Sequence, residues 1–306
     1  MSAPLHLECQ HCGAALVVEA TMRTAKCPYC ASPTVVERPP SPDRPVPTFA
    51  LGFVVTPERA LRIARDWVKK PFFAPSAFRR TVPSEIRGLY VPAYLYSAEV
   101  SSTFSAQIGE DYTVTETYTT TDSKGNTQTH TRTRVETEWR ALGGSHATYV
   151  TDRVVTASRG LPNAELEAIE PFDLRALHRY SPKIISGWAT EEPSMPVQEC
   201  VQLARGETMG EVGLQLAQFL PGDRQSGLTH QSRMDNEHMS LTLVPVWVLP
   251  VRYADDEPVV RLLVNGQTGK LHGRAPTSWV KITIAVLLVL APLVAAALYY
   301  FLVRRG

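Results

Sequence analysis

Residues 112–139, YTVTETYTTTDSKGNTQTHTRTRVETEW, alternate threonine with other residues on both sides of a turn at Ser123–Lys124–Gly125–Asn126. A period of two in β-branched residues, broken by a turn carrying Gly and Asn, is the signature of a β-hairpin. Thr115, Thr117, Thr129, Thr131 and Thr133 share one face, and His130, Arg132 and Arg134 take the other face of the second strand. Neither face is apolar, so the hairpin is expected to project into solvent. Glu116, Glu136 and Glu138 dilute its positive charge, which weakens the case for a phosphate contact.

Outward from the hairpin, LYVPAYLYSAEVSSTF (89–104) and HATYVTDRVVTAS (146–158) read as further strands. LTLVPVWVLPVRYA (241–254) and VVRLLVNGQTGKLHG (259–273) do the same, the second with a turn at Asn265–Gly266 or Thr268–Gly269. Between these strands, NAELEAIEPFDLRAL (163–177) reads as a broken helix, and Met195–Pro196 opens a helix running to about Leu220. VPAYLYS (91–97) and VPVWVLP (244–250) echo one another, as two related halves would. The expected fold class is α+β: a mainly antiparallel body over residues 49–275 with one long hairpin, between an N-terminal zinc ribbon and a C-terminal transmembrane helix.

Thr56–Pro57–Glu58 is a helix start, with Thr56 as the cap and proline in the first turn. Ala60, Leu61, Ala64, Trp67 and Val68 follow at helical spacing. Residues 56–87 hold eight basic side chains against three acidic ones, an excess of +5 in a chain whose net charge is +1. A solvated helix face explains much of that excess. Its sharper meaning is a surface for anionic headgroups or an acidic partner, made by Arg59, Arg62, Arg65, Lys69, Lys70, Arg79 and Arg80.

Two C-x2-C knuckles, Cys9/Cys12 and Cys27/Cys30, stand at the front of the chain. Two pairs at this separation are the spacing of a zinc ribbon: four thiolates can close a tetrahedron around one Zn²⁺ and leave no open position for catalysis. The opening residues MSAPLHLECQHC show neither a basic start nor an apolar run. The thiols are therefore expected in a reducing compartment, where disulfides are rare. Residues 1–38 carry Arg23, Lys26 and Arg38 against Glu8, Glu19 and Glu37. A neutral ribbon makes nucleic acid an unlikely partner and protein contact the better expectation. A nucleic-acid-binding or regulatory ribbon protein at the membrane is the alternative. PPSPDRPVP (39–47) follows as a stiff linker, so the domains read as 1–38, 39–48, 49–275 and 279–303. The fifth cysteine, Cys200, reads as a small buried hydrophobe.

Residues 282–303, ITIAVLLVLAPLVAAALYYFLV, contain no charge. At ~1.5 Å per residue they cross a hydrocarbon core of ~30 Å. Lys270, Arg274 and Lys281 precede the span, and Arg304 and Arg305 follow it. This asymmetry leans toward a tail-anchored topology in the inner membrane, with the bulk of the chain cytoplasmic.

No catalytic constellation emerges. The sequence holds no phosphate loop, no G-x-G-x-x-G, no H-E-x-x-H and no G-x-S-x-G. Ser145 and His146 are neighbours on a strand and point to opposite faces. His230 and His238, with Asp235 and Glu237 between them, are the one place where a second metal or an unrecognised enzyme site is conceivable. The expectation is a chain that is not an enzyme.

The two knuckles, FFAP (72–75), GLYVPAYLYSAEV (88–100), LEAIEPFDL (166–174), LVPVWVLPV (243–251), VNGQTGK (264–270) and the terminal span together resemble a family of bacterial and archaeal zinc-ribbon membrane proteins. Members are often labelled as relatives of primosomal protein N′ or of the TFIIB-type zinc ribbon. The resemblance implies one structural Zn²⁺ on Cys9, Cys12, Cys27 and Cys30. It also implies a membrane anchor working with phage-shock-protein-A-like coiled-coil partners or flotillin-type proteins in envelope stress.

Overall fold

The computed structural model describes residues 45–121 and 127–305, together with the strand residues 5–8, 15–18, 24–26 and 33–35. The turn expected at 123–126 lies outside the described residues, as do Cys9, Cys12, Cys27, Cys30 and linker residues 39–44. Two antiparallel pairs come first: β1 (Leu5–Glu8) with β2 (Ala15–Val18), and β3 (Thr24–Lys26) with β4 (Pro33–Val35).

One sheet dominates the rest. Its eight strands are β5 (Phe49–Leu51), β6 (Arg87–Thr121), β7 (Thr127–Thr156), β8 (Leu177–Arg179), β9 (Ala189–Thr190), β10 (Arg224–Val251), β11 (Val260–Asn265) and β12 (Leu271–Gly273). The path runs β12-β11-β10-β5-β8, and β6 pairs with β10, β7 and β9. The helices are α1 (Pro57–Lys69), α2 (Ser76–Arg80), α3 (Asn163–Ile169), α4 (Pro182–Ile185), α5 (Val197–Phe219) and α6 (Trp279–Arg305).

This sheet corrects the expected fold class. The body is not a mainly antiparallel α+β domain but a large mixed β-sheet, and two of its pairings are parallel, β5 with β10 and β6 with β9. Local sequence reports hairpins, because a turn and its alternation lie within a few residues of each other. It carries no mark of Thr242 pairing with Phe49, or of Leu89 pairing with Ala189. The strands are also far longer than their separate signals: β6, β7 and β10 run for 35, 30 and 28 residues, against a usual ~5–6.

The chain forms two units, and their boundary falls within these long strands. The first comprises 1–93, 156–196 and 241–306; the second comprises 94–155 and 197–240. In the first unit, Thr56 caps α1 by accepting from the Arg59 amide at 3.3 Å. Ala60, Ala64 and Val68 are buried against Trp247, Leu249, Leu262 and Val264 of β10 and β11. Phe53 stacks on Trp188 with ring centroids 4.2 Å apart and meets Tyr90 edge-on at 5.3 Å. Trp247 closes this cluster, its Nε1 donating to the Val55 carbonyl at 2.9 Å. The β11–β12 turn follows: Asn265 Oδ1 accepts from the amides of Gln267 and Thr268, and Gly269 takes φ +81°, a conformation open to glycine.

In the second unit, α5 presents a four-residue repeat, Cys200, Ala204, Thr208, Val212 and Leu216, all fully buried. Its apolar members Val212 and Leu216 pack on Val100, Phe104, Ala106 and Ile108 of β6, whose intervening residues Ser101, Thr103, Ser105 and Gln107 are exposed. Cys200 is inert in this setting, burial pushing its thiol up to about 11. Beyond residue 112, β6 and β7 are exposed along most of their length. Cross-strand contacts hold them together there: Tyr118 stacks on His130, Tyr112 donates to Glu136 at 2.9 Å, and Arg134 pairs with Glu116 at 2.9 Å.

Candidate functional site

The first turn of α6 is fastened to the first unit. Ser278 donates its amide to the Phe73 carbonyl at 2.7 Å. Lys281 Nζ donates to the Ala74 carbonyl at 2.7 Å and to the Phe72 carbonyl at 3.4 Å. Three successive carbonyls of the turn between α1 and α2 thus accept from the base of one helix. A lysine near the N-terminus of a helix opposes the macrodipole; here its charge is matched by carbonyl dipoles instead. Ala74 is buried in the core and holds the turn from below. From Trp279 to Ala297, α6 is long and apolar enough to cross a membrane, and none of that stretch is buried. A core helix of this composition would be covered.

The basic segment is dispersed over this unit. Arg59, Arg62, Arg65, Lys69 and Lys70 are exposed along α1 and just past its end, and Arg80 is exposed on α2. Arg79 does something else: its Nε donates to the Lys69 carbonyl at 3.1 Å, satisfying an end of α1. The motif FFAP is the turn itself. The Ala74 amide bonds the Pro71 carbonyl at 3.3 Å, which puts Phe72 and Phe73 at the corners with their rings edge-to-face. Phe72 is 69% and Phe73 44% exposed.

The knuckles sit in matching places of the chain. Glu8 pairs with Ala15 and Lys26 with Pro33, so residues 9–14 lie between the two strands of the first pair and 27–32 between those of the second. Each connecting segment bears cysteine at its first and fourth positions. The four cysteines themselves lie outside the described residues. Among the described residues, no group of three or more His, Cys, Asp or Glu is placed to hold a metal.

The histidines singled out by sequence each have a partner or neighbour of their own. His230 bonds Ser232 at 3.0 Å, and its Nε2 lies 3.3 Å from where a Cβ on Gly213 of α5 would stand. His238 is exposed and bonds Ser240. His146 contacts the ring of Phe219 and makes no bond to Ser145. Glu237 serves a different end. It accepts from Tyr96 Oη at 2.6 Å and from Arg205 Nε and Nη2 at 2.8 and 2.6 Å, tying α5 to β6 and β10 within the second unit. Arg205 holds the Glu237 carboxyl below its usual range, and burial pushes the Tyr96 phenol well above its own. The sequence hinted at none of this, because the three residues come from separate elements.

No protein-family profile matches the chain. No solved structure matches it. Among curated proteins, it is 22% identical over 241 residues to "Uncharacterized protein YdjG" of Bacillus subtilis (strain 168), covering 76% of this chain and 64% of that protein. The chain therefore spans somewhat less than two thirds of that relative's length.

Proposed function

We propose that the chain is a single-pass, membrane-anchored adaptor of the inner membrane, with its bulk facing the cytoplasm, that recruits protein partners through a zinc ribbon. The observation that carries this reading is the fastening of α6 to the Phe72–Ala74 carbonyls. An anchor bonded to a folded unit holds that unit at the bilayer surface, with no flexible spacer between them. The positive charges preceding the span favour a cytoplasmic face. Zn²⁺ on Cys9, Cys12, Cys27 and Cys30 would give residues 1–38 the stability that so small a module lacks by burial alone.

Two further features support recruitment. The ribbon is electrically neutral and suited to protein contact. The β6–β7 arm exposes a long polar surface, and β7 pairs with no strand other than β6 among the described residues. An open strand edge is a template for another chain. Phage-shock-protein-A-like coiled-coil proteins and flotillin-type proteins are the partners implied by the resemblance.

The test is purification of the full chain from its native membrane in mild detergent, for wild type and for a Cys9→Ser/Cys12→Ser variant. Coiled-coil or flotillin-type proteins that accompany the wild type and are lost from the variant support the reading. Nucleic acid alone, or nothing, accompanying the wild type refutes it.

A further inference from the structure

The turn that clamps α6 is also the place where the first unit displays its aromatic side chains outward. Phe72 and Phe73 are the corners of the Pro71–Ala74 turn, and both rings are exposed while the neighbouring Ala74 is buried. Trp279 opens α6 and is 77% exposed. Because the carbonyls of Phe72 and Ala74 receive Lys281, and that of Phe73 receives the Ser278 amide, the turn is level with the first turn of the helix. One helical turn rises ~5.4 Å. Three aromatic residues thus lie within a turn's height of the point where the apolar span begins. Lys69 and Lys70, both exposed, immediately precede the turn. Exposed aromatics side by side on a folded unit are rare without a partner to cover them. Aromatics at the boundary of an apolar segment, with basic residues beside them, fit the headgroup layer of an anionic bilayer.

We propose that the Pro71–Ala74 turn enters the headgroup region of the same bilayer that α6 crosses. Phe72 and Phe73 form a second, non-helical foothold beside Trp279, and Lys69 and Lys70 face anionic lipid. The foothold rests on the reading of α6 as the membrane anchor. Its consequence is orientational: a single helix permits the body to swivel about the helix axis, whereas a helix and a turn bonded together fix one face of the first unit against the membrane. The basic residues singled out by sequence then divide by position. Lys69 and Lys70 belong to the foothold, and Arg79 to the end of α1.

The experiment places p-benzoylphenylalanine at position 72, 73, 279 or 54 of the full chain and reconstitutes each protein in vesicles of phosphatidylethanolamine and phosphatidylglycerol. The vesicles are irradiated and the protein is weighed by mass spectrometry. Val54 is an exposed position of the same unit and outside the turn. The substituted sites are exposed, so the core is undisturbed. The expected result is a mass gain of one phospholipid at 72, 73 and 279 and its absence at 54. Lipid at 279 with none at 72 or 73 would overturn the foothold and leave the anchor standing. Lipid at 54 equal to that at 72 and 73 would overturn it as well, since exposure alone would then explain labelling. No lipid at 279 would remove the anchor reading and the foothold together.

Discussion

Lys281 supplies the side-chain bonds that join the folded body to the apolar helix, and Lys281→Met is the perturbation that isolates them. The substitution keeps the length and the apolar stem of the side chain and removes the ammonium. It deletes a 2.7 Å bond to the Ala74 carbonyl and a 3.4 Å contact with the Phe72 carbonyl. The shorter bond is charge-assisted, and such bonds contribute about 1.5–3 kcal/mol net. The longer one adds little at that separation. Lys281 is half-buried, so water can reach the freed carbonyls and the lower end applies. About 1.5 kcal/mol corresponds to roughly a tenfold rise in the population in which the base of α6 has parted from the turn. The backbone bond from Ser278 to Phe73 remains in the variant and reports this opening. Hydrogen exchange on the full chain in lipid nanodiscs is therefore the assay. The Ser278 amide should exchange about tenfold faster in Lys281→Met, with β11 unchanged, and Lys281→Arg should restore most of the protection. Unchanged protection at Ser278 would refute the clamp. Faster exchange throughout β11 would show that the lysine acts on the whole unit.

Three other outcomes follow from the geometry. In Gly266→Ala the new Cβ would stand 2.7 Å from the Phe53 ring and 2.8 Å from Pro245 Cβ, and Phe53 cannot retreat because Trp188, Tyr90 and Trp247 surround it. Overpacking of about 1–3 kcal/mol should lower the Tm by roughly 2–12 °C in calorimetry, and an unchanged Tm would contradict the close approach. The Glu237 carboxyl is held below its usual value by Arg205 and Tyr96. Its stabilisation is present above the unfolded pKa of ~4.3 and is lost as the pH falls through the lower folded value. Glu237→Gln should cost roughly 1 kcal/mol at neutral pH, allowing for solvent screening, and the gap from wild type should close in acid; urea titrations at several pH values test both. Replacing Cys9 and Cys12 by serine should abolish bound zinc in elemental analysis while membrane insertion and the melting of the body persist; loss of insertion would contradict a modular ribbon.

The sequence determined by itself whatever depends on neighbours along the chain. Thr56 and Pro57 start α1 because a cap and a first-turn proline act on the next few residues. The alternation at 112–139 makes strands, and Met195–Pro196 precedes α5, for equally local reasons. The uncharged run from Ile282 sets the apolar helix through length and composition alone. The knuckles show in the spacing of four cysteines, a chemical pattern that needs no coordinates to be seen. Tertiary structure alone decided the pairings and the joins. The parallel contacts of β5 with β10 and β6 with β9 turned a supposed α+β body into one mixed sheet. The separate strand signals at 89–104 and 112–121 became parts of a single 35-residue strand. In the sequence Glu237 stands out only as an acid between His230 and His238, until Tyr96 and Arg205 are brought to it from other elements. Phe72 and Phe73 are only letters of the FFAP motif until the fold buries Ala74, leaves both rings outside, and presents the Phe72 and Phe73 carbonyls to Lys281 and Ser278, more than two hundred residues further along the chain. Such pairings depend on chain segments meeting after long loops have closed, and closure is driven by burial that accumulates over the whole sheet. No single stretch of sequence carries that sum.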